Sequence, residues 1–134
     1  MASLFTWPVR VYYEDTDAGG IVYYANYLKF FERARTEWLR AADIGQQVMI
    51  DEYGAGFVVR SVHIDYHAAA RLDDHITLTL DISKLGRASV VFHQQALRGE
   101  QLLASAQVKV GCVDLATLRP RAIPHPAAAK MRAT

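Results

Sequence analysis

A chain of 134 residues is the size of one domain, here expected to span residues 1–134, and 51% hydrophobic residues supply a core. Such a chain buries roughly 68% of the surface that its unfolded form exposes, which excludes disorder. Fifteen Lys and Arg against fourteen Asp and Glu leave a net charge of +1, which gives no support to a nucleic-acid or membrane-surface role.

The first element predicted is a strand over residues 5–13, where Phe5, Trp7, Val9, Val11 and Tyr13 alternate with mostly polar neighbours. Pro8 lacks a donor and marks a sheet edge or a bulge. Residues 26–44 carry the strongest helical pattern. Tyr27, Phe30, Phe31, Ala34, Trp38 and Ala41 form one apolar stripe, with Lys29, Arg33, Thr36 and Arg40 opposite. Asn26 reads as its N-cap and Gly45 as its stop. Residues 46–53 extend the helical region or form a second short helix.

Beyond Gly54 and Gly56 the period changes to two. A strand is expected over 57–68, with Val58, Val62, Ile64 and Tyr66 on one face. Another follows over 75–83, where Ile76, Leu78, Leu80 and Ile82 alternate with Thr77, Thr79, Asp81 and Ser83. A turn at Lys84–Arg87 leads to a strand over 88–97, and a hairpin turn at Arg98–Glu100 leads to the last, over 102–114. That strand puts Leu102, Ala104, Ala106, Val108, Val110 and Cys112 on one face. The tail from Leu118, with three of the four prolines, reads as irregular. Short turns require antiparallel pairing, so a long helix on an antiparallel sheet gives an α+β domain of two layers. A sheet covered on one face tends to bury its other face or an edge, so a homodimer is expected.

The chemistry concentrates in Asp15-Thr16-Asp17-Ala18-Gly19-Gly20, just before the long helix. The glycines allow a sharp turn, and a helix start offers unpaired N–H groups with a partial positive charge. An acid held beside such a helix end has the parts needed to attack a carbonyl and hold the oxyanion. An aspartate in a turn commonly bonds its own backbone, but the glycines and the helix behind Asp17 shift the balance. Asp15 reads as structural. The Tyr24 N–H points out of the helix start, while the Tyr24 and Tyr13 side chains suit either core or substrate contact.

The five histidines lack a ligand spacing, and no metal or other cofactor is expected. No Gly-x-Ser-x-Gly elbow or phosphate loop is present. Cys112, alone, allows no intrachain disulfide and reads as core in a reducing compartment. The first residues lack a basic start and a long apolar stretch, and no apolar run approaches the ~18 residues of a membrane span. The cytoplasm is the expected location. Lys84, Arg87, Arg119 and Arg121 read as solvated surface or as a grip on the phosphates of an extended ligand.

The run from Arg10 to Leu28, with Phe31-Glu-Arg-Ala-Arg-Thr-Glu37, Phe57–Ser61, Asp65-Tyr66 and Arg71–Asp74, resembles the hotdog-fold acyl-CoA thioesterases. It is most similar to their Tol–Pal-associated, YbgC-like branch, related to 4-hydroxybenzoyl-CoA thioesterase. The resemblance covers about residues 9–123. It implies a sheet of about five strands wrapped round one central helix, a dimer with joined sheets, and pairing of dimers into tetramers. It implies Asp17 as the catalytic carboxylate, the Tyr24 N–H as the group polarising the thioester carbonyl, and Gly20 and Tyr13 as substrate-binding positions. Two departures stand out. Many of the branch carry His where Tyr24 stands and Pro where Ala69 stands, so an imidazole role is absent and a local turn is in doubt. The expected reaction is hydrolysis of a short-chain or aromatic acyl-CoA. The alternatives are an acyl carrier protein donor, a non-catalytic acyl- or partner-binding module, and a dehydratase; the last lacks a His in the loop before the helix.

Overall fold

In the computed structural model, which describes residues 4–133, the two hydrophobic periods resolve into separate layers. In chain order the elements are β1 (Phe5–Arg10), a 3-10 turn (Tyr13–Asp15), α1 (Asn26–Ala41), α2 (Gln46–Tyr53), β2 (Ala55–Tyr66), β3 (His75–Leu85), β4 (Ser89–Arg98), β5 (Gln101–Asp114) and α3 (His125–Ala133). Among the described residues the strands form one antiparallel sheet in the order β1-β3-β4-β5-β2. β1 and β2 are therefore the edges. Pro8 sits on edge strand β1, where its missing donor costs least.

α1 lies on the inner face of the sheet. It buries Tyr27, Phe30, Phe31, Ala34, Trp38 and Leu39 against a layer that includes Leu78, Leu80, Val90, Phe92 and Val108. Trp38 meets Phe92 edge-on, with centroids 5.4 Å apart. Each such aromatic adds about 1.5–3 kcal/mol by burial. Fully buried Gln94 is satisfied beneath the helix: its amide donates to the Phe31 carbonyl at 3.0 Å, and its oxygen accepts from Arg35 at 3.0 Å.

Several expectations need correction. β1 ends at Arg10, so Tyr13 lies on the 3-10 turn, because the chain leaves the sheet once Val11 has bonded to the Asp74 backbone. Asn26 is the first residue of α1 and Ala25 its N-cap; the Asn26 amide is used elsewhere. Gly45 does not stop the helix. Asp43 takes the left-handed position (φ 58), and its N–H and that of Ile44 bond back to Arg40 and Leu39, satisfying the last carbonyls. Gly45 instead caps α2. Ala41 is exposed and Leu39 takes its place in the stripe.

A bulge between Val59 and Ser61 shifts the register of β2 on β5. One extra residue exchanges the faces. Phe57 and Val59 therefore point inward with Val62, Ile64 and Tyr66, while Val58 faces outward. A second irregularity skips Leu103 and turns Leu102 off the inner face. The tail is not irregular throughout: α3 forms, with Pro126 in its first turn, where a missing N–H is tolerated.

Candidate active site

The segment between the 3-10 turn and α1 is a small hairpin. Thr16 bridges Val22, and the Asp17 N–H donates to the Ile21 carbonyl at 2.9 Å. The Gly20 N–H donates back to the Asp17 carbonyl at 3.0 Å. Ala18, Gly19 and Gly20 thus form a three-residue loop with Gly20 left-handed at φ 79, a backbone state open to glycine at no steric cost.

Asp15 holds this hairpin to the helix. Its side chain is buried and accepts the Tyr12 N–H at 2.9 Å. Its carbonyl accepts the Tyr23 N–H at 3.2 Å and the Asn26 side-chain amide at 2.8 Å. The structural reading of Asp15 therefore stands. The hairpin also docks on the segment before β3: Val22 donates to the Ala70 carbonyl, and Ile21 bridges Arg71. That segment is tied down by Asp74, whose carboxylate accepts the Arg71 N–H at 2.8 Å and the Arg98 guanidinium at 2.6 Å. Burial works against its charge, but these two donors outweigh it and hold the Asp74 carboxyl below its ordinary range.

Asp17 is exposed at the hairpin tip. Its Oδ1 accepts the Gly19 N–H at 2.9 Å, the self-bonding expected of a turn aspartate; among the described residues no protein group meets Oδ2. A Cβ on Gly19 would lie 3.2 Å from that Oδ1, so the small residue keeps space around the acid.

α1 begins through a tight turn. Asn26, Tyr27 and Leu28 donate to the carbonyls of Tyr23, Tyr24 and Ala25, which leaves the Tyr24 and Ala25 N–H groups without a protein acceptor among the described residues. The hairpin therefore carries Asp17 and Gly20 on the same short stretch that leads into these donors. The Tyr24 side chain is 59% exposed and packs edge-on to Tyr66, with centroids 5.9 Å apart. Tyr13 is 81% exposed and lines a shallow depression with Tyr12, Leu72 and Asp73; Asp17 and Tyr24 do not border it.

Tyr66 is a residue that sequence reading placed only on a strand face. At the end of β2 its hydroxyl donates to the Tyr24 carbonyl at 3.1 Å, and its ring meets Tyr27 at 5.6 Å. Burial, with a smaller contribution from Tyr24, raises the Tyr66 hydroxyl above its ordinary range. Tyr27 lies beneath, its buried hydroxyl beside the Ala70 backbone but outside hydrogen-bonding geometry. Further along α1 an open groove of about 380 Å³ lies between that helix and β2, lined by Leu28, Phe31, Arg35, Val59, Val62 and Val108 among others; Asp17, Tyr24 and Tyr66 do not line it.

Residues 11–131 match the Thioesterase-like superfamily. The chain belongs to this family. It is 50% identical over 120 residues to an acyl-CoA thioesterase, YbgC, of Haemophilus influenzae, covering 90% of this chain and 88% of that one. It is 48% identical over 131 residues to an acyl-CoA thioester hydrolase, YbgC, of Escherichia coli, covering 97% of each. Among solved structures, a probable thioesterase from Bartonella henselae superposes with a TM-score of 0.86 at 34% identity, covering 91% of this chain and all of that one. The five-stranded sheet and packed helix of this thioesterase-family member are thus the hotdog architecture expected from its sequence.

Proposed function

We propose that the chain hydrolyses the thioester of an acyl-CoA, releasing a carboxylic acid and free CoA. The observation that carries this reading is an exposed carboxylate, Asp17, at the tip of a hydrogen-bonded hairpin that leads within a few residues into the free N–H groups of Tyr24 and Ala25. The names borne by the relatives from Haemophilus influenzae and Escherichia coli support the substrate class.

In the proposed reaction the thioester oxygen sits at the start of α1. The Asp17 carboxylate attacks the carbonyl carbon, or removes a proton from a water that attacks it. Negative charge moves to the carbonyl oxygen and is met by the helix-start donors. The C–S bond then breaks and the electron pair leaves with sulfur. A CoA thiolate is stable enough to leave with little acid help, so a site with no triad suffices. On the nucleophilic route a water then cleaves the resulting anhydride, releasing the acid and restoring the Asp17 carboxylate. Gly20 gives the loop its shape at the ligand, while Tyr13, on a depression that Asp17 and Tyr24 do not border, would meet a part of the substrate remote from the thioester.

The groove between α1 and β2 is the proposed seat of the acyl group, short-chain or aromatic. The unpaired edge of β2, with Val58 exposed on its outer face, is the proposed join between two protomers. Among the described residues no helix is long and apolar enough to cross a membrane. We assign the protein to the cytoplasm on its one thiol, which is buried and unpaired.

Free-thiol release across a panel of acyl-CoA and acyl carrier protein thioesters tests the reading. Asp17→Asn keeps the shape and removes the charge, and kcat should fall on the order of 100-fold or more. Wild-type turnover by that variant, or tight binding of acyl-CoA without thiol release by the unaltered protein, would refute hydrolysis at this site.

A further inference from the structure

We propose that Tyr66 is a positioning residue for the reaction: its hydroxyl tethers the Tyr24 carbonyl and so fixes the direction of the N–H groups that open α1. The inference rests on the thioesterase reading of the site.

The Tyr24 carbonyl accepts two hydrogen bonds, from the Tyr27 N–H at 3.2 Å and from the Tyr66 hydroxyl at 3.1 Å. A trans peptide carries its C=O and N–H on opposite sides of a rigid plane. Holding the Tyr24 oxygen therefore aims the Ala25 N–H away from the helix, towards the ligand side. The neighbouring plane is held the same way: the Tyr23 carbonyl accepts the Asn26 N–H at 2.8 Å, which aims the Tyr24 N–H outward. The two planes meet at the Tyr24 Cα, so freeing one loosens the other. A helix start lacks the bonds of an interior turn and frays readily. The bond from Tyr66 comes instead from the sheet, 42 residues away, where pairing with Ala104 fixes its strand.

One further observation and one general property of peptides support the tether. The Tyr66 ring, though 45% exposed, meets Tyr24 and Tyr27 in edge-on contacts that favour the orientation bringing its hydroxyl to the Tyr24 carbonyl. A hydrogen bond accepted at a peptide oxygen also polarises the N–H of the same peptide and makes it a better donor. Tyr66 thus acts through the backbone, without touching the thioester. Catalysis by preorganised donors depends on orientation held before the charge develops, so a loosened peptide loses rate more than it loses substrate binding.

Tyr66→Phe removes one oxygen and keeps the aromatic cluster. Thiol release by this variant should show kcat reduced about tenfold with KM within about twofold of the unaltered protein. A trifluoromethyl ketone analogue of acyl-CoA, which presents a tetrahedral oxygen to the helix start, should bind about tenfold more weakly to the variant. The matching thioether, which has no such oxygen, should bind equally to both. Unchanged kcat, or equal weakening for ketone and thioether, would overturn the role of Tyr66. Asp17→Asn run beside it separates the two ideas: an inactive Asp17→Asn with a fully active Tyr66→Phe removes only the tether, whereas a fully active Asp17→Asn removes the reading on which it rests.

Discussion

Gly20 shows how a single residue sets the site. Its φ of 79 lies where a side chain is strained, yet a Cβ there would meet no atom within 4 Å. The cost of Gly20→Ala is therefore conformational, about 1 kcal/mol in chemical denaturation, with no packing penalty. A loss much larger than this would show that the loop resists the change for some other reason. Asp17 and Gly20 stood out in the sequence because a Gly-Gly step before a strong helix is a local signal. Tyr66 did not stand out. Its partner is distant in the chain, and a tyrosine on an alternating strand looks the same whether its hydroxyl meets water or a carbonyl.

Among the elements, the segment before β3 depends on charge. Asp74 joins it to β4 through Arg98, with side chains 23% and 31% exposed. Its carboxyl is held below the ordinary range when folded. Such a group adds stability above its unfolded pKa of about 3.9 and loses it as pH falls through the folded value. Asp74→Asn should therefore be less stable than the unaltered protein at neutral pH. The gap should close below about pH 4, as urea melts across the acid range would record. A gap independent of pH would mean that shape, not charge, joins the elements. Helix α1 was legible because its stripe repeats over four turns. Its end was not, because Asp43 does the work usually left to glycine. The irregularities in β2 and β5, two of three in the sheet among the described residues, each insert one residue with no local mark, and they reversed the faces assigned to Val58 and Leu102. The prolines around α3 look like breakers until Pro126 is recognised as a first-turn residue.

For the whole molecule, the fold class followed from two clean periods and short turns, so the antiparallel sheet and its helix were readable in advance. How protomers meet is a matter of edges. β1 carries Pro8 at its edge, whereas β2 leaves a free edge with exposed valines. Light scattering on the purified protein should give at least twice the chain mass, as a dimer or a pair of dimers. A monomer that still hydrolyses acyl-CoA at full rate would show that the β2 edge serves another purpose.

The proposed acid and the proposed oxyanion amides come from one stretch of about ten residues, fastened largely by its own hydrogen bonds. On the proposed reading, the parts that break the bond are thereby separate from the walls that choose what enters. Substitutions along the groove, or on a neighbouring copy, can retune which acyl group is accepted while the bond-breaking parts stay as they are. Divergence among relatives of this protein can then proceed by changing the cargo and keeping the reaction.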